Sequence, residues 1–84
     1  MKRILKFEAD WCGPCHAIAP MVKKVAEETG LEVETIDIDF NPELAESYGV
    51  RSVPTIILVE GGAELGRHVG SAPASAIKAS LGLA

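Results

Sequence analysis

The chain has 84 residues, 48% of them apolar, with eight Lys or Arg against twelve Asp or Glu and a net charge of −4. That is one small domain of sequence, too apolar for a disordered chain. It is too acidic for non-specific binding to nucleic-acid phosphates or for a basic membrane-surface helix. No apolar run approaches the roughly 20 residues a membrane span requires. Charges within Met1–Glu8 interrupt any signal-peptide core, so the sequence reads as cytoplasmic.

Residues 2–8 open the chain as a short strand, with Ile4, Leu5 and Phe7 apolar. After the two cysteines the pattern turns helical. Ile18, Met21, Val22 and Val25 take one face, while Lys23, Lys24, Glu27 and Glu28 take the other. Gly30 ends that helix, and Pro20 inside it removes one donor and predicts a kink. Residues 32–38 read as a strand through Val33, Ile36 and Ile38. Asn41-Pro42 opens a short helix carrying Leu44, Ala45 and Tyr48 and stopping at Gly49. Thr55–Val59 is a β-branched, buried strand, Gly61-Gly62 a hairpin turn, and Glu64–Val69 its antiparallel partner. Pro73 starts a last helix with Ile77 and Leu81 inward. The order is β-α-β-α-β-β-α. Its first unit is a parallel, right-handed βαβ, and the last two strands form a hairpin. The expected class is α/β, with a mixed four-stranded sheet, helices on both faces and a single domain over 1–84.

A core this small is near the limit of self-sufficiency, yet Cys12 and Cys15 make a poor staple. A four-residue loop closed by a disulfide contributes about 2 kcal/mol, against about 3 for fifteen residues, and strain in a tight ring lowers it. The pair therefore points to chemistry. Cysteines at i and i+3 are neighbours across one helical turn. At a helix start, free N–H groups and the dipole favour an anion, so Cys12 is the stabilised thiolate. Cys15, one turn in, is expected to be more buried and to react second. Pro14 is tolerated because a first-turn N–H has no intrahelical partner.

Trp11-Cys12-Gly13-Pro14-Cys15 after a strand resembles the active-site signature of the thioredoxin family. The likeness extends along the chain. Phe7–Cys15 looks like the approach to the family's catalytic turn, and His16–Pro20 resembles the helix after it. Asp37-Ile38-Asp39 with Asn41-Pro42 is similar to the second βα junction. Tyr48–Thr55 resembles the segment carrying the family's cis-proline, and Gly70 stands at its site glycine. The resemblance implies a cis Val53–Pro54 bond, which proline makes cheap. It also implies a Val53 backbone free for strand-like pairing with a substrate. Trp11, Gly13, Pro14, Val53, Pro54, Gly70 and Ser71 would form a shallow, largely uncharged docking surface. It further implies protein disulfides as substrates, ribonucleotide reductase among them, and thioredoxin reductase as electron donor, with glutathione a weaker one. No bound cofactor is implied, and the default is a monomer.

Two departures stand out. The chain begins at the strand leading to the cysteines, without the family's usual preceding strand and helix, and is nearer a glutaredoxin in size. The family's buried acid falls at Lys6, and its common tryptophan two residues later at Glu8. Lys6 and Glu8 share a strand face, so a charge pair beneath the site is expected. An ammonium there would favour the thiolates. It would either replace the missing carboxylate or leave Cys15 without a base. If the strand were an edge, both side chains would instead point to solvent.

Other readings stay open beside these. Zinc would need four ligands, and only His16 and His68 could join the cysteines. His16 reads as a solvated helix residue that can tune the Cys12 thiolate, and His68 as a surface residue. Trp11 is either core or part of the docking surface. For function, the alternatives are a glutaredoxin-like activity, an oxidant or isomerase, and an accessory subunit docked to a larger enzyme. Gly13-Pro14 favours a reductant by family analogy. Lys6 favours an oxidant, because stabilised thiolates make a disulfide more oxidising.

Overall fold

Strand β1 (Lys2–Glu8) runs through the middle of a four-stranded sheet in a computed structural model of residues 1–84. It is followed by α1 (Gly13–Thr29), β2 (Glu32–Asp37), α2 (Pro42–Ser47), β3 (Thr55–Glu60), β4 (Ala63–Val69) and α3 (Ala74–Leu81). The sheet order is β2-β1-β3-β4. β1 and β2 are parallel, and the other pairs are antiparallel. This is the mixed sheet expected from the sequence, with element ends within a residue or two. β1 is not an edge strand, which removes the reading of Lys6 and Glu8 as solvent-facing residues of an edge.

Alternation along β1 sorts its side chains between two apolar layers. Ile4 joins Ile18, Val22 and Val25 of α1, Ile56 and Leu58 of β3, and Ala74, Ile77 and Leu81 of α3. On the other face, Leu5 and Phe7 join Ile36, Ala45, Ile57 and Val59 under α2. β3 is covered from both sides, so Thr55–Val59 is buried at every position. That is why this stretch reads as a continuous apolar run rather than an alternating one. α1 continues past Pro20 to Thr29.

The β3–β4 turn has Gly61 at φ 58° and Gly62 at φ 84°. Positive φ at both central positions suits a two-residue hairpin of right-twisted strands. Leu65 is the extra residue of a bulge, since Leu58 pairs with Gly66 and Val59 with Glu64. Gly66 allows α3 to lie directly on β4: a Cβ there would stand 2.9 Å from Leu81 Cα and 2.9 Å from its carbonyl oxygen.

His68 corrects the sequence reading. Expected at the surface, it is half-buried, because alternation on β4 turns residues 66 and 68 towards α3. Its Nδ1 lies 2.9 Å from Ser80 Oγ, and its Nε2 is enclosed without a partner. No group of three or more His, Cys, Asp or Glu side chains is arranged to hold a metal ion. No helix is long and apolar enough to cross a membrane.

Candidate active site

The chain leaves β1 at Glu8 and turns at once: Cys12 N–H donates to the Ala9 carbonyl at 3.1 Å. Cys12 is the N-cap of α1, with extended φ and ψ of −91° and 103°. Its Sγ accepts the Cys15 backbone N–H at 3.1 Å. A side-chain acceptor at this position normally satisfies one of the orphan donors of a helix start, and here the acceptor is sulfur. The donor and the helix dipole would serve a Cys12 thiolate in the same place. Cys12 and Cys15 form a disulfide, with Cα atoms 5.3 Å apart. Both are buried, at 4% and 2% exposure, so the expected contrast between them is slight in this oxidised state. Ala9, Ile38 and Val53 cover the pair.

The Val53–Pro54 peptide is cis. Val53 packs on the cystine cluster, and its backbone N–H and C=O make no hydrogen bond within the chain. Gly70 N–H donates to the Pro54 carbonyl at 3.0 Å. That bond brings the end of β4 and the exposed Ser71 beside the cis bond. Gly13 and Pro14 are exposed on the helix start. Trp11 is 69% exposed, so it is surface rather than core.

Asp39 is a residue that sequence reasoning missed. Its Oδ2 accepts the Trp11 indole N–H at 3.0 Å, and its own N–H donates to Asp37 Oδ1 at 2.8 Å. The available signal was its position just past the carboxyl end of a strand in a parallel pair, where such sheets place their sites.

Lys6 and Glu8 do pair: Nζ lies 2.7 Å from Oε1, with 9% and 26% of the side chains exposed. The pair is on the α1 face of the sheet. Lys6 borders a groove with Ala19, Val22, Lys23 and Ala26 of α1 and Val33 and Thr35 of β2. Ala19 is four residues beyond Cys15, or about 6 Å along the helix axis. Lys6 therefore points to the turns below the cystine, and Glu8 is the member nearer the strand end. His16 is exposed, with Nε2 3.2 Å from the Asp10 carbonyl oxygen. A hydrogen bond from Arg67 holds the Glu64 carboxyl below the usual carboxylate range, and the same contact raises Arg67. Arg67 also donates to the Tyr48 carbonyl, tying β4 to the end of α2.

The family model described as Thioredoxin matches residues 1–82. Over 80 residues the chain is 36% identical to Thioredoxin 1 of Nostoc sp., covering 93% of this chain and 75% of that protein. It is 40% identical over 80 residues to the bifunctional thioredoxin reductase/thioredoxin of Mycobacterium leprae, covering 93% of this chain and 18% of that protein. Among solved structures, a mutant thioredoxin from Halobacterium salinarum NRC-1 superposes with a TM-score of 0.83 at 39% identity, covering 95% of this chain and 74% of that one.

Proposed function

The chain belongs to the thioredoxin family, a family of thiol–disulfide oxidoreductases that reduce protein disulfides and are recycled by thioredoxin reductase, and we propose that Cys12 is its nucleophile and Cys15 its resolving thiol. In the reduced protein the Cys12 thiolate attacks one sulfur of a partner disulfide. That S–S bond breaks, the partner's other sulfur leaves as a thiolate and takes a proton, and a mixed disulfide joins the two proteins. The Cys15 thiolate then attacks Cys12 Sγ. The mixed disulfide breaks, the partner's second thiol departs, and the Cys12–Cys15 disulfide remains. Two electrons have passed to the partner, and the reductase returns two. The observation that carries this reading is the cystine at the start of α1, with Cys12 Sγ on the Cys15 N–H, packed against Val53 and its free backbone.

On this reading Trp11, Gly13, Pro14, Val53, Pro54, Gly70 and Ser71 receive the partner. Val53 offers strand-like pairing, and Asp39 fixes the Trp11 indole. Lys6 and Glu8 tune the site as a compensated pair. With its charge met by Glu8 at 2.7 Å, Lys6 pulls little on the thiolates, which favours a reductant over an oxidant. His16 is assigned no proton transfer. The electron donor is a flavin-dependent thioredoxin reductase, and the Mycobacterium leprae relative carries both functions by name in one chain. Ribonucleotide reductase is the first substrate to try, on family grounds. The role is electron transport and redox homeostasis in a reducing compartment, the cytoplasm.

The test is insulin-disulfide reduction driven by NADPH and thioredoxin reductase. Cys12→Ser is expected to abolish turnover, and Cys15→Ser to accumulate a mixed disulfide with the substrate. Retained turnover in Cys12→Ser would overturn the assignment, and a partner enzyme that requires the protein but not Cys12 would favour an accessory, docking role.

A further inference from the structure

Between the cystine and α2 the chain displays an aromatic side chain that the fold does not use. Phe40 is 81% exposed, and Leu44, four residues on, is 36% exposed. Together with Asn41, Pro42, Glu43 and Ser47 they line an open cleft of about 550 Å³. Three successive residues of the chain lead from the redox site to the cleft. Ile38 packs on the Cys12–Cys15 cluster, Asp39 holds the Trp11 indole at 3.0 Å, and Phe40 follows. Trp11, itself 69% exposed, is bonded to the Asp39 side chain, and Phe40 is the next residue along the chain.

The charged residues of this stretch are all acidic, and Arg67, which reaches the Tyr48 carbonyl at the end of α2, is itself paired with Glu64. From residue 37 to residue 47 the chain carries Asp37, Asp39, Glu43 and Glu46 and no basic residue, and Asp10 precedes Trp11. None of these five takes part in the chain's salt bridges. The basic residue closest in sequence is Arg51. It borders a neighbouring hollow with Ile38, Pro42, Glu46 and Gly49, whereas the cleft of Phe40 and Leu44 is lined by Glu43 and by no basic residue. An exposed aromatic set among uncompensated carboxylates suits a partner that brings an apolar side chain and positive charge together. A second copy of this chain would bring the same carboxylates against them, and like charges juxtaposed are unfavourable.

We propose that Phe40 and Leu44 extend the docking surface past the cystine. With the carboxylates of Asp10, Asp39 and Glu43, they select protein disulfides whose reactive cysteine is neighboured by an apolar residue flanked by Lys or Arg. The proposal rests on the disulfide-reductase reading above. Phe40 and Leu44 are specificity residues and take no part in electron transfer.

The experiment compares three substrates: a disulfide peptide with Lys-Phe-Lys beside its cysteine, the same peptide with Glu-Phe-Glu, and uncharged hydroxyethyl disulfide. The expected result is a wild-type preference for the Lys peptide that shrinks as salt is added. In Phe40→Ser the KM for that peptide should rise roughly tenfold, the low end for one apolar contact in a pocket, with kcat and hydroxyethyl disulfide reduction unchanged. Glu43→Gln should lower the Lys-over-Glu preference alone. Both positions are exposed, and unchanged circular dichroism would confirm that each variant folds. Equal use of the two peptides by the wild type, or an unaltered KM in Phe40→Ser, would overturn the proposal. Self-association of the wild type that Phe40→Ser abolishes would overturn it too, by giving the patch to a second copy. Failure of the wild type to reduce insulin disulfides in the assay above would instead sink the redox reading, and this proposal with it.

Discussion

Towards α2, strand β1 presents Leu5 and Phe7, both sealed among Ile36, Ile57 and Val59. Towards α1 and α3, the same strand passes from Ile4 to Lys6 and Glu8 as it approaches the cystine. The first face is built for stability: apolar area leaves water at about 25 cal/mol per Å². The second gives up that gain for an ion pair, and a largely buried ion pair contributes little net stability compared with apolar residues of similar volume. The contrast within a single strand separates what holds the fold from what adjoins the chemistry.

The contrast can be broken most forcefully from the α2 side. Phe7→Ala empties the centre of that layer and removes the ring packed 5.8 Å, centroid to centroid, from Tyr48. A loss of about 3–5 kcal/mol is expected, read as a lower urea midpoint. On the opposite face, Gly66→Ala forces a Cβ against the Leu81 backbone and should cost about 1–3 kcal/mol. Undocking of α3 would appear as faster amide exchange at Ile77 and Leu81. Lys6→Met should cost about 1–2 kcal/mol, less than a fully buried broken pair, because Glu8 keeps 26% of its side chain in water. Adding Glu8→Leu should recover most of that loss. If the double variant stays as unstable as the single one, the ion pair is a stabilising element and the contrast fails.

The smallest expected effect lies at Glu64. Its folded pKa is lowered by Arg67, so the unfolded chain binds the proton more readily and stability rises with pH through the acid range. The contribution is fully present above the ordinary carboxylate range and is lost as pH falls through the lowered value. For so exposed a pair it amounts to a few tenths of a kcal/mol. Glu64→Gln should lower the neutral urea midpoint by that amount, flatten its acid limb and leave the most acidic values almost unchanged.

Much of this architecture is legible in local pattern. The continuous run Thr55–Val59, the Gly61-Gly62 turn and the Cys12–Cys15 spacing each carry a mechanism within a few residues. What escaped depends on contacts distant in sequence. The burial of His68 follows from the seating of α3 on Gly66, and no strand pattern shows which helix covers it. The Asp39–Trp11 bond spans 28 positions. The exposure of Phe40 is a property of the short turn before α2, where a lone aromatic could equally have been core. Lys6 and Glu8 were readable as neighbours on one face, but the central place of β1 was needed to bury them.

Whether this pair is a reductant with Lys6 compensated is measured directly by the reduction potential of Cys12–Cys15. Equilibration against dithiothreitol buffers can be followed by the fluorescence of Trp11, the only tryptophan. The expected potential lies below the glutathione poise of about −220 to −260 mV, and Glu8→Gln, which leaves the Lys6 charge unmet, should raise it. A wild-type potential well above that poise, unmoved by Glu8→Gln, would contradict the account and mark the pair as an oxidant or isomerase.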